Sequence, residues 1–325
     1  MPEYGDMEWI FRFFIFPFAV FALCAGCGIK AETEGGKLPL RVASYNMAFC
    51  RNSNDLKIWD ARKDYIMQVL RDEKIDICAA QEPYAFQMKY LAARAPEYAF
   101  AETPTGDETP EKFAARTPNF QDRNLILPNM NNPVWYRRDK FELLNLGRFY
   151  FSPTPEKMSG CWLSDRWDKI RHCTWAEFSD KKTSKRFFVF NVHFVVSQND
   201  ADKEALFSAR LLLEKIGKIA GETPFFVMGD FNATEAADCI KLLLASPEMK
   251  SARRAAGKIP AMQKTSFIGF DPAKKSAYKE IIDHIFVSNS VRVKTFSILR
   301  PQYKNAAGEV IDPSDHLPLV IDAEL

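Results

Sequence analysis

The chain has 325 residues, 47% hydrophobic and 26% charged, with a formal net charge of +2 at pH 7. Enough apolar surface is present to bury a sizeable core, in one large domain or two small ones, which excludes a disordered chain. The balance also excludes a strong overall basic field for nucleic acid, although Arg137-Arg138, "KKTSKR" at 181–186 and Arg253-Arg254 can form local positive surface.

The first element in chain order is the apolar run Phe13–Gly28. It is interrupted by Pro17 and falls short of the ~20 residues that span a bilayer, so it fits the hydrophobic region of a secretory signal. In "LCAGC", Ala25 and Gly26 precede Cys27, which resembles a bacterial lipobox, with Cys24 where an aliphatic residue is usual. A plain signal peptide cut near the same place is the alternative. The start is acidic, with Glu3, Asp6 and Glu8 against Arg12, as if translation began at Met7. The expected organisation is a signal peptide over 1–27, a linker over 28–38 and one folded domain over 39–325. Outside the leader, Cys50, Cys78, Cys161, Cys173 and Cys239 form neither a disulfide framework nor a zinc spacing. Cys161 with Cys173 is the one bridge an oxidising compartment would suggest.

Past the polar "KAETEGGK", strands are expected at 40–49, 75–83, 132–139, 141–151, 173–178, 186–196, 224–231, 281–288, 291–299 and 317–325. Helical spacing of apolar residues appears at roughly 60–74, 84–94, 200–220 and 236–246. Several strands are apolar throughout, as strands covered on both faces are. The predicted fold is α+β, a four-layer α/β/β/α sandwich of two packed mixed sheets flanked by helices.

Polar residues recur where these strands end. Asn46 closes "ASYN", Glu82 closes "CAAQE", His193 follows "FVFNV", Asp230 and Asn232 end "FFVMGDFN", Asp283 lies in "IIDHIF", and Asp315-His316 open "SDHLPLV". Each alone is more often a cap or a satisfied core group, because an unpaired buried charge is costly. Their recurrence favours a shared site.

The motifs "SYN", "QE", "NVH", "GDFN", "ID" before an apolar strand and "SDH" before Leu-Pro resemble, in this order, the endonuclease/exonuclease/phosphatase superfamily. That superfamily comprises deoxyribonuclease-like metal-dependent phosphohydrolases, and the likeness covers nearly all of residues 40–325. The segment "FSPTPEKMSGCWLSDRWDKIRHCTW" resembles a bacterial, exported branch of it. One departure is "DRNLILPNMNNPVWYRR", which has Met130 near the place of the branch's Gly-Glu, so no acidic site residue is carried over there. The stretch 102–122 reads as a surface segment without a family match.

Phosphate-ester cleavage needs charge neutralised on the equatorial oxygens and an activated water in line. The carboxylates Glu82 and Asp315 suit magnesium, and the resemblance implies the same pair, with Asn46 beside the metal or the phosphate; manganese can substitute. Asp230 is the expected base or water orienter and Asn232 a donor to a phosphoryl oxygen, both projecting to one side of an extended chain. The rival reading is an Asx turn that merely ends the strand. His316 would face the scissile phosphate with Asp283 holding its tautomer, His193 would bind phosphoryl oxygens from the other side, and Arg171 is a phosphate contact or otherwise a surface ion-pair residue. His284 reads as structural and His172 has no assigned role.

The expected activity is hydrolysis of a phosphodiester or phosphomonoester by direct attack of water, in a monomer exported to the cell envelope as a lipoprotein, or else periplasmic or secreted. A secreted or surface-anchored nuclease, a sphingomyelinase-like phosphodiesterase and a non-enzymatic phosphate-ester binding module stay open. Four histidines are few for a dinuclear zinc enzyme. No Ser or Cys nucleophile stands beside a base in these motifs.

Overall fold

The alternation of apolar strands with amphipathic segments is laid out in a computed structural model, which describes residues 36–50, 53–102, 131–163, 170–196, 201–271, 273 and 279–325. The leader, its lipobox cysteine, most of the linker, the segment 103–122, Met130 and residues 164–169 lie outside the described residues.

In chain order the elements begin with β1 (Pro39–Asn46), α1 (Ser53–Asp72), β2 (Ile77–Gln81), α2 (Ala85–Arg94) and β3 (Tyr98–Ala101). There follow β4 (Val134–Arg137), β5 (Phe141–Tyr150), β6 (His172–Asp180), β7 (Arg186–His193), α3 (Ala201–Ala220) and β8 (Phe225–Asp230). The remainder comprises α4 (Asp238–Leu244), β9 (Met249–Ser251), α5 (Ala252–Ala255), β10 (Lys258–Ala261), β11 (Asp283–Ser288) and β12 (Arg292–Ile298). A small hairpin, β13 (Tyr303–Lys304) with β14 (Val310–Ile311), precedes β15 (Leu319–Glu324).

One sheet has the order β10-β12-β15-β1-β2-β4-β3 and the other β5-β6-β7-β8-β11-β9. Both are mixed: β1 and β2 run parallel, as do β7 and β8, while their outer neighbours β15, β6 and β11 are antiparallel to them. Three apolar layers hold the sandwich. Val42, Ile77, Phe187, Val189, Met228, Ile285 and Ile321 fill the space between the sheets. Phe188, Phe190 and Val227, on the opposite face of their strands, pack on Leu212 and Ile216 of α3 and Leu243 of α4. Tyr45, Cys78 and Trp135 meet Trp59, Ile66 and Leu70 of α1 and Leu91 of α2. Successive residues of β7 therefore serve alternate cores, which is why that strand is apolar at nearly every position.

Two expectations need correction. Helix α1 begins at Ser53 rather than near residue 60, with Asp55 in its first turn, where the helix dipole favours an acid. Cys161 and Cys173 are not bridged to each other, and Cys173, on β6, is buried in the core under α3. The strands β3, β9, β10, β13 and β14, which the pattern did not suggest, are two to four residues long, too short to show a period.

Candidate active site

The parallel pairs β1/β2 and β7/β8 end at the same end of the sandwich, and the polar residues expected from the sequence stand there. In the second sheet they lie on one line across neighbouring strands. His193, the last residue of β7, is in register with Asp230, the last of β8, which is in register with Asp283, the first of β11. Residues in register share a face, so all three side chains enter the space between the sheets. His316 joins them through Nδ1, which donates to Asp283 Oδ2 at 2.9 Å. The segment Ser266–Phe267 supports this pair, because Ser266 Oγ accepts the amides of Ile282 and Asp283 and Phe267 bridges to His316.

The first sheet brings its groups from chain ends and turns. Asn46 Nδ2 donates to Asp230 Oδ2 at 3.1 Å, and Asn46 Oδ1 accepts the amide of Ala48. Glu82 follows β2 and accepts the amide of Phe49 at 2.9 Å. Its other oxygen lies 3.9 Å from His193 Nε2. Ser314 donates its hydroxyl to the carbonyl of Asn46, tying β1 to the loop that carries Asp315 and His316. Asp230 Oδ2 is the meeting point, 3.7 Å from His193 Nε2 and 3.6 Å from His316 Nε2.

The "GDFN" stretch forms the Asx turn and still turns one carboxylate oxygen of Asp230 toward the other polar residues. Asp230 Oδ1 accepts the amide of Asn232 at 2.8 Å, which is the Asx turn, while Oδ2 faces the site. Asn232, expected on an extended chain, instead has a φ of 48°, a left-handed conformation that asparagine tolerates at the end of the Asx turn. Its side-chain amide donates to the carbonyl of Phe194 at 3.0 Å. Arg171 reaches the same carbonyl through Nε at 3.3 Å, donates to the carbonyl of Ile170 at 3.0 Å and is buried. His284 turns away and bonds the carbonyl of Ala233.

Burial and mutual charge tune these groups. Burial, then the charge of Asp283, pushes Asp230 up to about 7 against the pull of His316. Glu82 is raised by burial and then by Asp315. His193 is driven well below its ordinary value by burial and by the cations Arg171 and His316. Burial works in the same direction on His316, yet Asp283 and Asp230 outweigh it and hold that imidazole well above its ordinary value.

Such a set fits a divalent cation. Glu82 and Asp315 are hard oxygen donors, and the charge of Asp315 adds to the cost that burial puts on ionised Glu82, a cost a cation between them would relieve. Among the described residues the donor atoms that lie within 4.8 Å of one another belong to Glu82, His193 and Asp230, and to Asp230, Asp283 and His316. Asp315 stands in neither group, and its Oδ1 lies 3.3 Å from Ser314 Oγ, whose hydrogen goes to the carbonyl of Asn46 at 2.6 Å.

Sequence reasoning passed over one residue that organises all this. Arg62 of α1 is 2% exposed and donates to the carbonyls of Met47 (2.7 Å), Pro313 (2.8 Å) and Ala48 (2.9 Å), which flank Asn46 and Asp315. Its guanidinium lies over the rings of Trp59 and Phe270. Trp59, three residues earlier and on the same helical face, was the signal in the sequence that could have turned Arg62 inward. Strain gathers here too: Ala48, Glu82 and Asn232 all have positive φ without being glycine, a cost of order 1 kcal/mol or more each that a protein keeps where surroundings demand it.

A structure of an endonuclease/exonuclease/phosphatase family protein from Bacteroides thetaiotaomicron superposes with a TM-score of 0.75 at 26% identity, covering 89% of this chain and 99% of that one. The mannosyl-6-phosphatase of the same organism gives 0.72 at 26% identity, over 87% and 99%. A protein of Acanthamoeba polyphaga mimivirus is 26% identical over 283 residues, 81% of this chain and 91% of that one. The family model for the Endonuclease/Exonuclease/phosphatase family matches residues 43–316, a span that opens beside Asn46 and closes on His316, and the chain belongs to that family.

Proposed function

We propose that this chain is a divalent-metal-dependent phosphoesterase, with magnesium as its metal, that hydrolyses a phosphate monoester or diester by direct attack of water. The observation that carries the reading is the convergence on Asp230 Oδ2 of Asn46, His193 and His316, with Asp283 behind His316. A carboxylate raised to about 7 is matched to taking a proton from water near neutral pH. His316, kept cationic by Asp283 and Asp230, supplies positive charge beside that base. His193, neutral at the same pH, donates a hydrogen bond to a phosphoryl oxygen. Asn232 has a second amide hydrogen beyond the one bound by Phe194 and offers it to the phosphoryl group, and Arg171 adds positive charge behind it. Glu82 and Asp315 would hold the magnesium, with Asn46 beside it, and the ion would supply charge against the phosphoryl oxygens. The leader-like start and Cys27 support an exported, lipid-anchored protein.

The test is hydrolysis by the purified protein, with and without magnesium, of plasmid DNA, RNA, sphingomyelin, an inositol phosphate, a hexose phosphate and an aryl phosphodiester. The likeness to a mannosyl-6-phosphatase is the reason to include the hexose phosphate. Metal-dependent cleavage of at least one is expected, reduced about 10²- to 10⁴-fold in Asp230→Asn, His316→Ala and Glu82→Ala. Wild-type rates in all three variants would remove the assignment.

A further inference from the structure

The polar line across the second sheet does not stop at His193. Cys173 of β6 is in register with Val192 of β7, so the next residue pair outward is His172 with His193. His172 is in turn in register with Tyr150, the last residue of β5. One row therefore runs Asp283, Asp230, His193, His172, Tyr150, all facing the gap between the sheets, with neighbouring Cβ atoms roughly 5 Å apart. The first three belong to the reaction already assigned, and the last two continue it sideways.

What lies around His172 has the character of a binding site. It is as buried as His193, and its Nε2 has no hydrogen-bond partner. Asn132, just before β4 on the opposing sheet, donates its amide to the carbonyl of His172 at 2.9 Å while its own Oδ1 is buried without a partner. His193 Nδ1 is a third buried atom in the same condition. Buried polar atoms are nearly always paired, and of the nine buried side-chain atoms without a partner among the described residues three lie on and beside this single row. The surroundings are held rigidly: Glu102, after β3, accepts the amide of Asn132 at 2.9 Å and the hydroxyl of Thr174 at 3.2 Å, and it pairs with Arg148.

We infer that His172 and Asn132, edged by Tyr150, form the subsite that receives the alcohol side of the phosphate ester, and that this alcohol is a small polyhydroxylated group such as a sugar or polyol. The inference rests on the phosphoesterase reading for its placement of the phosphate at His193. An imidazole, an amide oxygen and a phenol are neutral groups that between them accept and donate, as hydroxyls require. A second phosphate would call for an uncommitted cation, whereas the charge of Arg148 is answered by Glu102. Desolvation by burial, and then the charges of Arg148 and Arg171, push His172 well below its ordinary value and keep it neutral.

The decisive comparison uses substrates that share the phosphate and differ in hydroxyls. Turnover of glucose 6-phosphate, mannose 6-phosphate and phenyl phosphate is measured with magnesium in the wild type, His172→Phe and His172→Gln. Expected is a loss of about tenfold in kcat/KM for the hexose phosphates in His172→Phe, carried by KM, with phenyl phosphate within about twofold and partial recovery in His172→Gln. In parallel, calorimetry follows binding of both hexose phosphates and phenyl phosphate to Asp230→Asn with and without His172→Phe. Hexose-phosphate binding that depends on His172 in a protein that cleaves nothing would uphold the subsite and remove the catalytic reading. Phenyl phosphate cleavage with no gain for hexose phosphates, or equal loss on all three in His172→Phe, would overturn the subsite and leave the catalytic reading standing. Neither cleavage nor binding would overturn both.

Discussion

The two sheets furnish their halves of the site by different means. The second sheet sets His193, Asp230 and Asp283 in one cross-strand row, so the hydrogen-bonded ladder itself fixes their spacing. The first sheet sets Asn46 and Glu82 where its strands have ended, with Ala48 and Glu82 at positive φ and the buried Arg62 drawing three carbonyls together. A ladder resists displacement because each rung is shared with its neighbours. A clamp depends on one side chain. The first half should therefore fail by losing one cation, and the second only when the strands are forced apart.

The largest effect is expected from forcing the ladder. Gly229, beside Asp230, approaches β7 so closely that an added Cβ would sit 1.9 Å from the carbonyl oxygen of Val192. That oxygen is backbone and cannot swing aside, so Gly229→Ala must separate β7 from β8 at the pair that carries His193 and Asp230. A loss of about 3 kcal/mol and most of the turnover should follow. Gly147→Ala is the control within the same sheet: its Cβ would meet the ring of Trp175, a side chain that can move, and about 1 kcal/mol is expected. Urea midpoints for the two variants decide it, and equal losses would mean that the ladder has no special role at the site.

Next in size is the clamp. Arg62→Met keeps the bulk under Trp59 and Phe270 but leaves the carbonyls of Met47, Ala48 and Pro313 without a donor. About 2 kcal/mol of stability and roughly 10²-fold in kcat should be lost, because small displacements of positioned groups are costly in rate. A variant with reduced stability and full kcat would show that Arg62 supports the fold alone.

The ladder half was far more legible in the sequence than the clamp half, for a physical reason. Polar residues that end strands apolar at nearly every position, such as His193 and Asp230, stand out against the run that precedes them. Arg62 sits on an amphipathic helix where charged residues ordinarily face water, so nothing in the local pattern distinguishes it except Trp59. Glu82 could be named as a site residue but not as a strained one, because glutamate has no preference for positive φ. The row from Tyr150 to Asp283 joins residues more than a hundred positions apart, and only the pairing of β5, β6, β7, β8 and β11 aligns them. The same limit hid the role of Asn132, whose partner His172 lies forty residues away on the other sheet.

The smallest effect is the one that probes the point where the two halves meet. In the metal-free protein Asp230 is raised to about 7 by burial and by Asp283, against about 4 in an unfolded chain. Between those values the folded state holds a proton that the unfolded state does not, so this group's contribution to stability falls as pH rises from about 4 to 7 and is constant above. His316 acts in the same direction: raised well above its ordinary value by Asp283 and Asp230, it favours the folded state at low pH and ceases to as pH climbs through its folded value. Replacing Asp230 by Asn removes the first contribution and weakens the second, since one of the two anions facing His316 is gone. The thermal midpoint of the wild type minus that of Asp230→Asn, measured in a chelator, should therefore fall by about 4 °C between pH 5 and 8. Excess magnesium should flatten that slope, because a cation beside Glu82 favours the charged form of the neighbouring carboxylate as well. Parallel curves in chelator would mean that Asp230 titrates as an ordinary carboxylate, and that Asn46 and His193 do not enclose it in the way that makes it a base near neutral pH.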